Sequence, residues 1–289
     1  MKLTIGLAQI SPRLGDVKAN LDKHLLYVEQ AAAQGVELLV FPELSLTGYM
    51  LQDLVHDTAI AVARASEPDD PLFAPLLGAS HKLDLVVGLA ERDVRGRLYT
   101  SGAYLSQGRI VHVHRKIYLP TYGMFDESRD FDWGEEVRAF DTGFGRAGLL
   151  ICEDFWHASP PYLLWLDGAD VMLFTSASPG RGLDQHGKLS SSRFVELVNQ
   201  AYANLFGCFV VHANRVGFED GVNFWGGSTV FGPDGELIAQ APYFEESLLV
   251  TTLDLSALRR ERARLPLLRD ERPELTQREL ERILNKSPS

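Results

Sequence analysis

Three short segments each end an apolar run with a group able to do chemistry: Leu38-Leu39-Val40-Phe41-Pro42-Glu43, His114-Arg115-Lys116-Ile117-Tyr118-Leu119-Pro120 and Leu149-Leu150-Ile151-Cys152-Glu153-Asp154. The ends of strands in α/β sheets open onto clefts, so Glu43, Lys116 and Cys152 are candidates for one site. Together they make a base, a cation and a nucleophile. A thiol of ordinary pKa is mostly protonated at neutral pH, so a catalytic cysteine needs a proton acceptor or a positive charge beside it. Glu43 can take the proton. Lys116 can favour the thiolate and then the negative oxygen of a tetrahedral intermediate, with the backbone N–H after Cys152 as second donor.

Singly, each segment has a plainer reading. A glutamate after a strand is usually solvated, a lysine beside an arginine is usually surface charge, and a strand-end cysteine is usually small apolar filler. The shared placement of all three favours a site. No GxSxG occurs, and the eight histidines fall in no comparable strand-end setting, so Ser/His/Asp and Cys/His arrangements fit less well. His112, His114 and Arg115 invite a metal reading, but no acidic partner lies close in sequence, so neither metal nor cofactor is expected. Cys208, within Gly207-Cys208-Phe209-Val210, reads as core packing. Asp154 and Trp156 read either as pocket-shaping residues or as a structural hydrogen bond and a core aromatic.

The elements around these groups alternate. A strand from Leu3 to Gln9 is followed by a turn through Pro12 and Gly15, by Leu21, Leu25, Val28 and Ala32 at helical spacing, and by a strand from Glu37 to Phe41. That is a βαβ unit with parallel strands. A helix from about Asp70 to Lys82 leads into a strand over Leu83 to Leu89, and Tyr99 to Leu105 with Arg109 to Val113 reads as a hairpin. In the second half, strands are expected at Gly148 to Ile151, Val171 to Thr175 and Phe209 to Ala213, with helices at Pro161 to Asp167 and Lys188 to Phe206. Pro233-Asp234-Gly235 marks a hairpin between Gly226 to Phe231 and Glu236 to Ala239. Thr276-Gln277-Arg278-Glu279 has the pattern of a capping box opening a C-terminal helix. Parallel units mixed with hairpins predict two sheets packed face to face with helices outside. No linker divides the chain, so one domain over residues 1–258 is expected. A tail over 259–289, with its short helix, is expected to run over the surface or onto another subunit.

The 289 residues are 45% hydrophobic and 23% charged, as in a soluble globular protein. Lys plus Arg total 28 against 39 Asp plus Glu, a net charge of −11 that argues against nucleic acid or an anionic membrane as partner. Two cysteines are too few for a disulfide framework. The N-terminus lacks the apolar stretch of a signal peptide, and no run is long enough to span a bilayer. A cytoplasmic protein with a small-molecule partner is expected.

The sequence resembles the nitrilase superfamily of carbon–nitrogen hydrolases. The likeness rests on Phe41-Pro42-Glu43, Arg115-Lys116 and Ile151-Cys152-Glu153-Asp154, with Gly6-Leu7-Ala8-Gln9, Tyr122-Gly123-Met124-Phe125-Asp126-Glu127 and Gly226-Gly227-Ser228, and it runs from Ile5 to about Leu253. It implies a four-layer αββα sandwich, a Glu-Lys-Cys triad of Glu43, Lys116 and Cys152, and a thioester on Cys152 without a metal. It also implies a second glutamate at Glu127, which orients the lysine or assists proton transfer, and a homo-oligomer. The expected activity is hydrolysis of a small amide or carbamoyl amine, releasing ammonia or an amine.

Phe41-Pro42-Glu43-Leu44-Ser45-Leu46-Thr47-Gly48-Tyr49 with Asp53-Leu54, and Cys152-Glu153-Asp154-Phe155-Trp156, look most like the glutaminase portion of glutamine-dependent NAD synthetases. That likeness implies substrate contacts at Tyr122, Phe125, Glu153 and Ser178. It departs in two respects: the chain ends about where a synthetase domain would begin, and the arginine that meets the glutamine carboxylate aligns near Asp184. Arg181 or Lys188 would have to replace it. Two alternatives to a free-standing amidase therefore stand: a glutaminase subunit serving a separate synthetase, and a noncatalytic binding module of the same fold.

Overall fold

Along the first strand, β1 (Lys2–Gln9), Leu3, Ile5 and Leu7 face one way into the core and Ala8 faces the other, so the strand is buried on both sides. The structure is a computed structural model that describes residues 1–62, 71–183 and 189–286. β1 belongs to a six-stranded sheet with β2 (Leu38–Val40), β3 (Asp84–Arg92), β4 (Leu98–Ser106), β5 (Arg109–Arg115) and β14 (Ser247–Asp254), in the order β14-β1-β2-β3-β4-β5. β1, β2 and β3 run parallel, and the outer pairings are antiparallel.

The second six-stranded sheet repeats this plan with β6 (Phe140–Thr142), β7 (Gly145–Ile151), β8 (Val171–Ser176), β9 (Phe209–Asn214), β12 (Thr229–Phe231) and β13 (Leu237–Gln240). Its order is β13-β12-β9-β8-β7-β6, with β7, β8 and β9 parallel. A separate hairpin, β10 (Val216–Glu219) and β11 (Val222–Trp225), turns at Asp220 and Gly221, both at positive φ. This Asp-Gly turn is the sequence signal for a hairpin that the strand pattern above does not contain. β14, with few fully buried residues, is likewise absent from that pattern.

Val40, Val86 and Tyr104 of the first sheet meet Leu149, Leu173 and Val211 of the second. On the outer face of the first sheet, Leu39, Leu85 and Val87 pack against α1 (Val17–Ala33) and α3 (Phe73–Ala79), while α2 (Val55–Thr58) follows the loop after β2. On the second sheet, Leu150, Met172 and Phe174 pack against α4 (Ser159–Leu166) and α5 (Ser190–Phe206). The result is the expected αββα sandwich. α3 is shorter than expected, and Asp70 lies outside the described residues, as does Lys188 at the expected start of α5.

After β14 the chain forms α6 (Ser256–Arg264), α7 (Leu267–Asp270) and α8 (Pro273–Leu284). Leu258 closes the core between the sheets, Arg262 bonds Asp170 at 2.7 Å, and the Tyr162 hydroxyl donates to Glu271 at 3.1 Å. The capping box expected at Thr276 is not formed. The Thr276 N–H already bonds the Arg272 carbonyl, so Thr276 lies inside the first turn, and the helix opens instead at Pro273. Proline has its φ preset for that position and lacks an N–H that would go unpaired there. Among the described residues, no helix is long and apolar enough to cross a membrane.

Candidate active site

Glu43 follows β2 on a loop that lies directly on β3. A Cβ at Gly88 would come within 2.3 Å of the Pro42 carbonyl oxygen, so glycine is what lets the loop approach. Glu43 is 1% exposed. Its Oε1 accepts from Lys116 Nζ at 2.8 Å and its Oε2 from the Ala177 N–H at 2.7 Å. Ala177 follows β8, so the carboxylate bridges the ends of the two sheets. The Ala177 donor has no signature in sequence, because any residue except proline supplies a backbone N–H.

Lys116 follows β5 and is fully buried. Its ammonium also meets Glu127, with Nζ to Oε2 at 2.7 Å, and Tyr49 Oη donates to Glu127 Oε1 at 2.6 Å. Cys152 follows β7 at the start of a short 3₁₀ turn, Cys152–Trp156, and has φ of +46°. A non-glycine residue rarely adopts this left-handed conformation, and such strain gathers at functional sites.

Asp154 ties the two sheets together behind these groups. Its Oδ1 accepts the N–H of Ile117 and of Tyr118, each at 2.9 Å, and its Oδ2 accepts the Ile151 N–H at 3.1 Å. His114 Nε2 lies 2.8 Å from the same Oδ2. The residue after Lys116 and the residue before Cys152 are therefore held by one carboxylate. Of the histidines that invited a metal reading, His114 is engaged by Asp154 and His112 stacks on Phe140. Among the described residues, no group of three or more His, Cys, Asp or Glu is arranged to hold a metal.

Cys152 opens onto a cavity of about 350 Å³ lined also by Tyr49, Tyr122, Phe125, Glu153 and Ser178. All four expected substrate contacts thus share a cavity with the cysteine. Tyr122 Oη donates to Glu153 Oε2 at 2.8 Å, and Phe125 stands edge-on to both Tyr49 and Tyr122. Ser178 is 2% exposed, and its hydroxyl has no partner among the described residues. The Arg181 guanidinium reaches the same cavity, 4.7 Å over the Phe125 ring. Asp184 and Lys188 lie outside the described residues. Glu127 lines a neighbouring cavity of about 300 Å³ across Tyr49 and Phe125.

The electrostatics correct one expectation. Burial pushes the Cys152 thiol well above its ordinary pKa, the Glu43 carboxylate pushes it further, and Lys116 offsets only part of this. Burial first, and then the carboxylates of Glu43, Glu127 and Glu153, outweigh the single ammonium and favour the protonated thiol. Burial by itself pulls the Lys116 pKa down, but Glu127 and Glu43 outweigh it and keep the ammonium charged. Burial raises the Glu127 pKa, with Lys116 opposing. Cys208 is fully buried beneath α5, its thiol pushed up to about 12 by burial.

The sequence matches the family described as carbon-nitrogen hydrolase over residues 4–263. It is 31% identical over 261 residues to a glutamine-dependent NAD(+) synthetase of Aquifex aeolicus, a match covering 90% of this chain and 44% of that protein. The chain thus spans about half the length of such curated relatives. Among solved structures, a carbon-nitrogen hydrolase from Helicobacter pylori G27 superposes with a TM-score of 0.85 at 25% identity, covering 97% of this chain and 99% of that one. The NitN amidase from Nesterenkonia sp. AN1 superposes with a TM-score of 0.78 at 25% identity, covering 96% and 99%.

Proposed function

The chain belongs to the carbon-nitrogen hydrolase family and hydrolyses C–N bonds, and on that premise we propose that it is an amidase acting through a thioester on Cys152. The observation that carries this reading is a cysteine at the wall of a cavity, with a buried Glu43–Lys116 pair near enough for both charges to act on its thiol. As Cys152 Sγ attacks the amide carbon, its proton passes to Glu43. Two of the three N–H donors of Lys116 are taken by Glu43 Oε1 and Glu127 Oε1, which leaves the third for the developing oxyanion beside the Glu153 N–H. Glu43 returns the proton to the nitrogen as the C–N bond breaks, and ammonia or an amine leaves. Water then gives a proton to Glu43 and adds to the thioester. The acid departs, and the thiol recovers its proton from Glu43.

A second reading, glutamine as the amide, is favoured by Arg181. Its guanidinium stands in the cavity where a carboxylate at the far end of the substrate would need a cation. In that case the chain is a glutaminase subunit that passes ammonia to a separate NAD synthetase. A cytoplasmic homo-oligomer accords with either reading. Ammonia release from a panel of aliphatic amides, glutamine, carbamoyl amines and nitriles tests both. Release from amides supports the main reading, and strong preference for glutamine, lost in Arg181→Met, supports the second. Inertness toward all of them, with iodoacetamide labelling Cys152 no faster than Cys208, would leave a binding module instead.

A further inference from the structure

Arg215 and Glu219 form an ion pair in the interior, with Arg215 Nη1 donating to Glu219 Oε2 at 2.9 Å and side-chain exposures of 0% and 3%. The guanidinium lies 4.1 Å over the Phe224 ring, and its Nε and Nη2 find no acceptor among the described residues. Desolvating two charges costs about as much as their attraction returns, and apolar residues of the same volume would commonly stabilise as well. Stability alone does not account for the pair.

The other oxygen of Glu219 shows what the pair holds. Glu219 Oε1 accepts the N–H of Tyr49 at 2.8 Å and of Met50 at 2.7 Å. The backbone must come close for this: Gly48, at φ +86°, has no Cβ, and one there would stand 3.2 Å from Glu219 Oε2 and 2.8 Å from Leu14 Cα. With its backbone pinned, the Tyr49 ring stands edge-on to Phe125 and Phe224, and its hydroxyl reaches Glu127 at 2.6 Å. Glu127 meets Lys116 at 2.7 Å, and Lys116 meets Glu43 at 2.8 Å. Direct contacts therefore run from a hairpin outside both large sheets to Glu43, whose charge acts on the Cys152 thiol.

We propose that Arg215 and Glu219 are positioning residues for the reaction: their pair pins the backbone of Tyr49, which delivers its hydroxyl to Glu127 and so sets where Lys116 and Glu43 stand. This rests on the reading above in which Glu127, Lys116 and Glu43 serve Cys152. A merely structural pair would contribute to stability without speaking to the thiol.

The test is the rate of Cys152 alkylation by iodoacetamide against pH, in the wild-type and the Glu127→Gln backgrounds. One variant exchanges the whole pair, Arg215→Met with Glu219→Leu, so that no single charge is left buried. A second, Tyr49→Phe, removes one hydroxyl and keeps the read-out available should the exchange not fold. Glu127→Gln removes a negative charge near the thiol, so its labelling midpoint falls. With the Tyr49 hydroxyl lost, or no longer delivered, Glu127 and with it Lys116 are released from their fixed places, so each variant in the wild-type background moves the midpoint by about half a pH unit or more. In the Glu127→Gln background neither variant moves it. Equal shifts in both backgrounds, or none in the wild type, would overturn the proposal. A Glu127→Gln midpoint identical to wild type would instead overturn the placement of Glu127 in the site, and the positioning role with it.

Discussion

Lys116 Nζ stands 2.8 Å from Glu43 Oε1, and neither side chain has any exposure to solvent. The proposed base is thus already paired with the cation, and Glu127 shares the same ammonium. A carboxylate held on one oxygen by an ammonium and on the other by the Ala177 N–H cannot rotate away. It can still take a proton when the thiol attacks, because each oxygen keeps a second lone pair.

Cys152→Ala should abolish ammonia release and leave the fold unchanged. The side chain shrinks by one atom, and alanine tolerates the φ of +46° no worse than cysteine does. Mass spectrometry of a quenched wild-type reaction should find an acyl group on the Cys152 peptide. Turnover by the alanine variant at the wild-type rate would end the covalent mechanism.

The thiol pKa should respond to its two neighbours with opposite signs. Glu43 raises it and Lys116 lowers it, so the midpoint of iodoacetamide labelling should fall in Glu43→Gln and rise in Lys116→Met. The rise should be the smaller change, since the two carboxylates left facing each other would take up a proton between them. Glu43→Gln should nonetheless lose on the order of 100- to 10,000-fold in kcat, because it makes the thiol easier to ionise but removes the general base. A glutamine variant with a raised midpoint contradicts this electrostatic picture.

Asp154→Ala should destabilise the protein without touching the chemistry directly. Three backbone N–H groups would lose their acceptor, that of Ile151 in the interior, at about 1–3 kcal/mol if left unsatisfied, and those of Ile117 and Tyr118 at part-buried positions where water can replace part of the bond. The urea midpoint reads this, and a midpoint equal to wild type would show that Asp154 does not hold the sheet ends together.

Extended dialysis against EDTA should leave the rate of ammonia release unchanged, since the proposed electrophilic assistance comes from Lys116 and a backbone N–H. A loss restored by zinc would contradict it.

The alternation of apolar residues and the turn chemistry are local properties, and the elements that depend on them were legible residue by residue. The βαβ opening, the buried strands ending at Ile151 and Ser176, and the helix ending at Phe206 follow from spacing along the chain. The placement of Glu43, Lys116 and Cys152 at strand ends was legible for the same reason. Other features are not local. The Ala177 N–H, the Tyr49 hydroxyl and the Asp154 carboxylate act on residues 134, 78 and 40 positions away, respectively. Packing of the two sheets brings the Ala177 and Asp154 atoms to their partners, and the order of strands within the first sheet brings Tyr49 to Glu127. The start of α8 went to Pro273 because a backbone bond to Arg272 had already claimed the Thr276 N–H. The direction of the thiol's pKa shift was likewise decided by the fold: a lysine at a strand end, taken with the cysteine, reads as thiolate-stabilising, but burial and the carboxylates of Glu43, Glu127 and Glu153 outweigh one ammonium in the folded interior.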